Sequence, residues 1–150
     1  MDHKESNMQI LYNRETSGRD VKTILLRIQN AEERDRLYDI FSYDDYRVLI
    51  ADNLLTLIEY LNDYRINLLI SDAECPDIAT DELLSYLRSK YFDIKIIITT
   101  REYSPELELR LRPFKLLYIM ACPVNIELLQ SIVARGLETE KTALVYAGAY

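Results

Sequence analysis

A chain of 150 residues with 49% apolar and 29% charged side chains carries enough apolar material for one core and too much for a disordered segment. Its formal net charge of −7 lacks the basic excess of a duplex binder, so neither DNA nor RNA is an expected partner. One histidine, two cysteines and no apolar run of bilayer length argue against a zinc site, a disulfide scaffold and a membrane contact.

Residues 1–21 read as a polar leader, with a Ser17-Gly18 turn signal and no signal-peptide core in Met1-Asp2-His3-Lys4-Glu5-Ser6-Asn7. With Cys75 and Cys122 as reduced thiols, a cytoplasmic protein is expected. Ile24-Leu25-Leu26 is the first predicted strand. Asn30 then caps a helix, Glu33 completes a capping-box-like start, and Leu37, Ile40 and Phe41 share its inner face. Arg47 to Ala51 is a second strand, followed by a helix capped by Asn53 with Leu54, Ile58 and Leu61 on one face. Asn67 to Ser71 is a third strand, ending at Asp72. After a loop containing Pro76, Thr80 caps a helix that turns Leu83, Leu84 and Leu87 inward.

Ile94 to Thr100 is a fourth strand whose isoleucine run implies burial on both faces. Ser104-Pro105 opens a fourth helix, with Glu106/Arg110 and Glu108/Arg112 pairs, which ends before Pro113. Leu116 to Met120 is a fifth strand. Cys122-Pro123 leads into a fifth helix with Ile126, Leu129 and Ile132 among its apolar positions, stopping at Gly136. The domain is thus placed at residues 22–137. The apolar, strand-like stretch Ala143 to Tyr150 lies in a tail of residues 138–150 that would dock on the domain or form a dimer contact. Twelve tyrosines, several of them near helix ends (Tyr38, Tyr43, Tyr46, Tyr60, Tyr64, Tyr86, Tyr91), suit boundary packing or a partner surface.

Strands alternating with helices imply an α/β doubly wound parallel sheet with helices on both faces, its working site at the carboxyl ends of the strands. Those ends carry Ile28-Gln29-Asn30, Asp52, Asp72, Thr100 and Cys122. No glycine-rich loop follows the first strand, which disfavours dinucleotide, flavin and P-loop sites.

These residues resemble the receiver domains of response regulators in two-component (phosphorelay) signalling, across roughly residues 22–137. Leu68-Leu69-Ile70-Ser71-Asp72-Ala73-Glu74-Cys75-Pro76 is similar to the strand and loop bearing the phosphorylated aspartate, with Asp72 as phosphoacceptor. Ile96-Ile97-Ile98-Thr99-Thr100 resembles the strand ending in a Ser/Thr that touches the phosphoryl group, here Thr100. Cys122-Pro123 stands where the family has Lys-Pro, and the aromatic switch position falls on Ile119, beside Tyr118. The resemblance implies a flavodoxin-like five-stranded sheet of order 2-1-3-4-5 and a cis Cys122–Pro123 bond.

The departures point to a degenerate, pseudo-receiver form. The acidic pair that would hold Mg²⁺ is missing at Ile28 and Gln29, and the lysine is Cys122. Metal ligation rests on Asp72 and Glu74, weakly, with Glu32 as a neighbouring acid; otherwise no cofactor is implied. Asp72 also has a plain use as a turn-capping carboxylate, Glu74 as a solvated loop residue and Thr100 as a β-branched strand residue. Cys75 and Cys122 near one sheet edge raise a redox reading, beside their ordinary use as buried thiols. The expected function is a non-enzymatic, stand-alone module without an output domain, acting by protein–protein contact through the fourth helix, fifth strand and fifth helix. Its partners would be a histidine kinase, a downstream signalling protein or a second copy. The alternative is an active receiver phosphorylated on Asp72.

Overall fold

The computed structural model describes the backbone of residues 21–147 and the side chains of residues 21–138. The expectations for residues 1–20, including His3, and for the extreme C-terminus lie outside the described residues. Strands β1 (Thr23–Arg27), β2 (Arg47–Ile50), β3 (Leu68–Asp72), β4 (Lys95–Thr100) and β5 (Tyr118–Ala121) alternate with five helices. These are α1 (Ala31–Tyr43), α2 (Leu54–Asp63), α3 (Thr80–Lys90), α4 (Pro105–Leu111) and α5 (Ile126–Ala147). All strand pairs are parallel and the order is 2-1-3-4-5, the expected doubly wound sheet.

Strand side chains alternate between two cores, as a period of two requires. Ile24, Leu26, Leu68, Ile70 and Ile97 pack against Leu37 and Phe41 of α1 and Leu129, Val133 and Leu137 of α5. Leu25, Leu49, Leu69, Ile96 and Ile98 face α2, α3 and α4 through Leu57, Leu61, Leu83, Leu84, Leu87, Leu107 and Leu111. Burial on both sides explains why the central strands read as unbroken apolar runs.

Three caps form as the sequence implies. Asn30, Asn53 and Ser104 accept from the backbone N–H groups of Glu33, Thr56 and Leu107 at 2.8, 2.9 and 3.1 Å. Other local expectations fail because the groups find different partners. Thr80 is the first helical residue after the cap Ala79, and its hydroxyl donates to the Ala73 carbonyl at 2.7 Å. Glu33 accepts from Arg36 at 3.1 Å and from the Val124 N–H at 3.2 Å, which ties α1 to the β5–α5 loop rather than closing a capping box. Arg110 reaches Asp81 of α3 at 3.0 Å, and Glu108 accepts from the Tyr103 hydroxyl, in place of the pairs expected within α4.

Helix α5 does not stop at Gly136; it continues to Ala147, so residues 143–147 are helical rather than strand-like. Gly136 serves close packing instead. A Cβ there would lie 2.6 Å from Cδ2 of Leu117, in the turn before β5. Among the described residues no helix is long and apolar enough to cross a membrane.

Candidate functional site at the carboxyl edge of the sheet

The strand ends open into a cleft of about 760 Å³ lined by Ile28, Gln29, Asn30, Glu32, Glu33, Arg36, Asp72, Glu74, Arg101, Cys122 and Pro123. The fold therefore brings together Ile28, Gln29, Asp72, Glu74, Glu32 and Cys122, as the sequence implies. Thr100 lies fully buried beneath them. Ile119 does not join them. It lines a separate groove beside α4 with Tyr103, Leu111 and Tyr118. The Cys122–Pro123 bond is cis.

Asp72 ends β3 half-buried. Its Oδ1 accepts from the Thr99 hydroxyl and its Oδ2 from the backbone N–H of Gln29 at 2.8 Å. The sequence directs attention to Thr100 as the hydroxyl of this site, yet Thr99 is the one on the aspartate. The register explains it: Thr99 is the β4 partner of Asp72, so both side chains project from the α1/α5 face. Thr100 projects from the other face. Its hydroxyl donates to Oε2 of Glu74, whose Oε1 accepts from the Arg101 N–H at 3.2 Å.

Arg27 escapes the sequence reading. It ends β1, is only 3% exposed, and donates through Nη1 to the Ser71 hydroxyl at 3.0 Å. Its Nη2 pairs with Asp77 in the β3–α3 loop. Ile28 belongs to the α1/α5 core, and Gln29 is exposed and contributes a backbone donor. The edge of β1 thus supplies a buried cation, an apolar contact and an amide. An arginine directly abutting an apolar strand run is the one sequence signal for it, because such a cation needs a buried partner.

The cleft brings Asp72, Glu74, Glu32 and Glu33 to one hollow but offers Mg²⁺ no ready cluster of side-chain ligands. Among the described residues, no three carboxylate, histidine or cysteine side chains group closely enough to hold a metal ion. Glu33 is occupied by Arg36 and the Val124 amide, and both oxygens of Asp72 and of Glu74 already accept from the chain's own donors.

Burial pushes the Cys122 thiol up from its ordinary pKa, and Asp72 and Glu33 push it further, against a lowering hydrogen bond with Thr99. The site therefore presents a neutral thiol where the resemblance would place an ammonium. Cys75 is pushed up to about 11, chiefly by burial. Both cysteines are free, and they line different clefts: Cys75 faces a second hollow of about 470 Å³ with Arg27, Arg34 and Asp52.

Neither protein-family models nor curated proteins match this chain. Solved structures do. A response regulator receiver protein from Pseudomonas putida is 18% identical, covers 78% of this chain and 98% of its own, and superposes with a TM-score of 0.72. The signal receiver domain of an HD domain-containing protein from Pseudomonas fluorescens Pf-5 is 19% identical, with coverage of 82% and 99% and a TM-score of 0.75. A CheY-like response regulator receiver domain protein from Methanospirillum hungatei JF-1 is 25% identical, with coverage of 82% and 99% and a TM-score of 0.72. The fold is that of receiver domains.

Proposed function

From a receiver fold whose strand-end carboxylates are held by the chain's own donors, we propose a degenerate receiver-like signalling module that works by binding other proteins rather than by accepting a phosphoryl group. The observation that carries this reading is the state of Asp72. In-line transfer needs a carboxylate oxygen poised to attack and a cation to neutralise the transferring group, and donors on the carboxylate compete with both. Here each oxygen has a donor, no triad of metal ligands stands among the described residues, and the lysine position holds a neutral thiol. On this reading the protein has no catalytic activity of its own and works in the cytoplasm.

The contact surface we assign is the α4–β5–α5 face. Tyr103, Leu109, Tyr118 and Leu128 are exposed large apolar or aromatic side chains there. Glu106, Glu108 and Arg112 add mixed charge suited to complementary pairing, while Arg110 is engaged by Asp81 of α3. A histidine kinase, a downstream signalling protein or a second copy would be its partner. Intact-mass measurement after incubation with Mg²⁺ and a small phosphodonor tests the reading, with Asp72→Ala as control. No added phosphoryl group supports it. A single phosphoryl group on the wild type alone would overturn it in favour of an active receiver with weakly held Mg²⁺.

A further inference from the structure

The β3–α3 loop, residues 73–79, is gripped from both sides. Toward β1, Asp77 pairs with buried Arg27 and Asp72 takes the Gln29 amide. Toward β4, the Ala73 N–H donates to the Thr99 carbonyl at 2.8 Å. Glu74 then goes one step beyond the strand. Its two oxygens hold consecutive residues, the Thr100 hydroxyl and the Arg101 amide, where β4 passes into the loop before α4. Thr100 is fully buried, so its hydroxyl needs an acceptor, and Glu74 lies nearer than the alternative, the Glu102 carbonyl at 3.3 Å. The Thr100 oxygen in turn accepts from the Glu102 N–H at 3.3 Å, two residues before the α4 cap Ser104. One carboxylate thereby orders three consecutive residues leading to α4.

We infer that Glu74 is a built-in anionic latch for the β4–α4 loop, holding α4 and the face it belongs to in one conformation without any group added at Asp72. The inference deepens the proposed function, because a contact module without a phosphoryl switch needs its target face fixed by its own side chains. Charge and geometry both favour Glu74 for this. A carboxylate accepts two charge-assisted hydrogen bonds at once, whereas an amide offers one acceptor oxygen. Leu107 and Leu111 seat α4 itself in the sheet core, and Glu74 acts on the loop that leads into it, joining it to the β3–α3 loop.

The test is amide hydrogen exchange followed residue by residue on the full chain, comparing wild type, Glu74→Ala, Thr100→Val and the double variant, with Asp72→Ala alongside. Glu74 is exposed and Thr100→Val preserves shape, so all should fold; circular dichroism and unchanged exchange in β1 verify it. The expected result is exchange at Arg101 and Glu102 faster by about tenfold in each single variant, roughly 1.4 kcal/mol of local opening. The double variant adds nothing further, and Asp72→Ala leaves these amides at wild-type rates. Unchanged exchange in Glu74→Ala, additive effects in the double variant, or an equal effect from Asp72→Ala would overturn the latch. A phosphorylated Asp72 would be seen by mass and would refute the proposed function separately, leaving the latch to be judged by exchange alone.

Discussion

Removing the carboxylate of Asp77 should damage the protein more than removing the guanidinium of Arg27, although the two form one pair. The side chain of Arg27 is 4% exposed and that of Asp77 is 34% exposed. Asp77→Ala leaves a cation inside the protein with the Ser71 hydroxyl as its remaining described partner. That should cost about 3 kcal/mol, the low end for stripping one member from a buried pair, because water already reaches part of the carboxylate. Arg27→Met keeps most of the apolar stem and leaves a carboxylate that water can solvate, so about 1 kcal/mol is expected. The double variant should fall near Arg27→Met alone, since no unpaired buried charge remains. Urea unfolding midpoints read the order directly, provided the slopes stay equal. Equal costs for the two single variants, or additivity in the double, would refute the argument that the buried cation is what demands the pair.

Cys75, with its thiol pushed up to about 11 from 9.0, should react with iodoacetamide at pH 8 about a hundredfold more slowly in the folded protein than in urea. Between pH 9 and 11 the folded state holds a proton there that the unfolded state has lost, so stability contributed below pH 9 should fall as pH rises through that window, checked by thermal melts. Lys115 sits in the left-handed region at φ 57°, so Lys115→Gly should raise the melting temperature by about 1–2 °C, the relieved backbone strain being partly offset by the freer unfolded chain. A fall would mean that the lysine side chain matters more than its backbone. Ser104→Ala should destabilise by about 1 kcal/mol through the lost cap of α4, measured by urea titration; Ser104→Asp should restore it.

The sheet was legible because its strands are buried on both faces and its helices carry strong local punctuation. Asn30, Asn53 and Ser104 cap where their spacing implies. What the sequence concealed lies where a group finds a different partner. Thr80, Glu33 and Arg110 turn to Ala73, Val124 and Asp81, none of which is a neighbour in sequence. Gly136 looks like a helix stop because the close approach of Leu117 is a tertiary fact. At the site, the resemblance brought Asp72, Glu74, Ile28, Gln29 and Cys122 to one cleft. The division of labour between Thr99 and Thr100 needed the register of β4 on β3. Arg27 stands at the end of an apolar strand pattern, where only its burial and its pairing with Asp77 give it meaning.

On the proposed reading the carboxyl edge of the sheet is satisfied internally and needs no metal or phosphoryl group. Titrating Mg²⁺ into the millimolar range while following the backbone amide spectrum tests it most directly. Gln29, Ala73, Glu74 and Arg101 should then show no saturable shifts, and the melting temperature should not move. Saturable shifts confined to those residues, lost in Asp72→Ala, would contradict it.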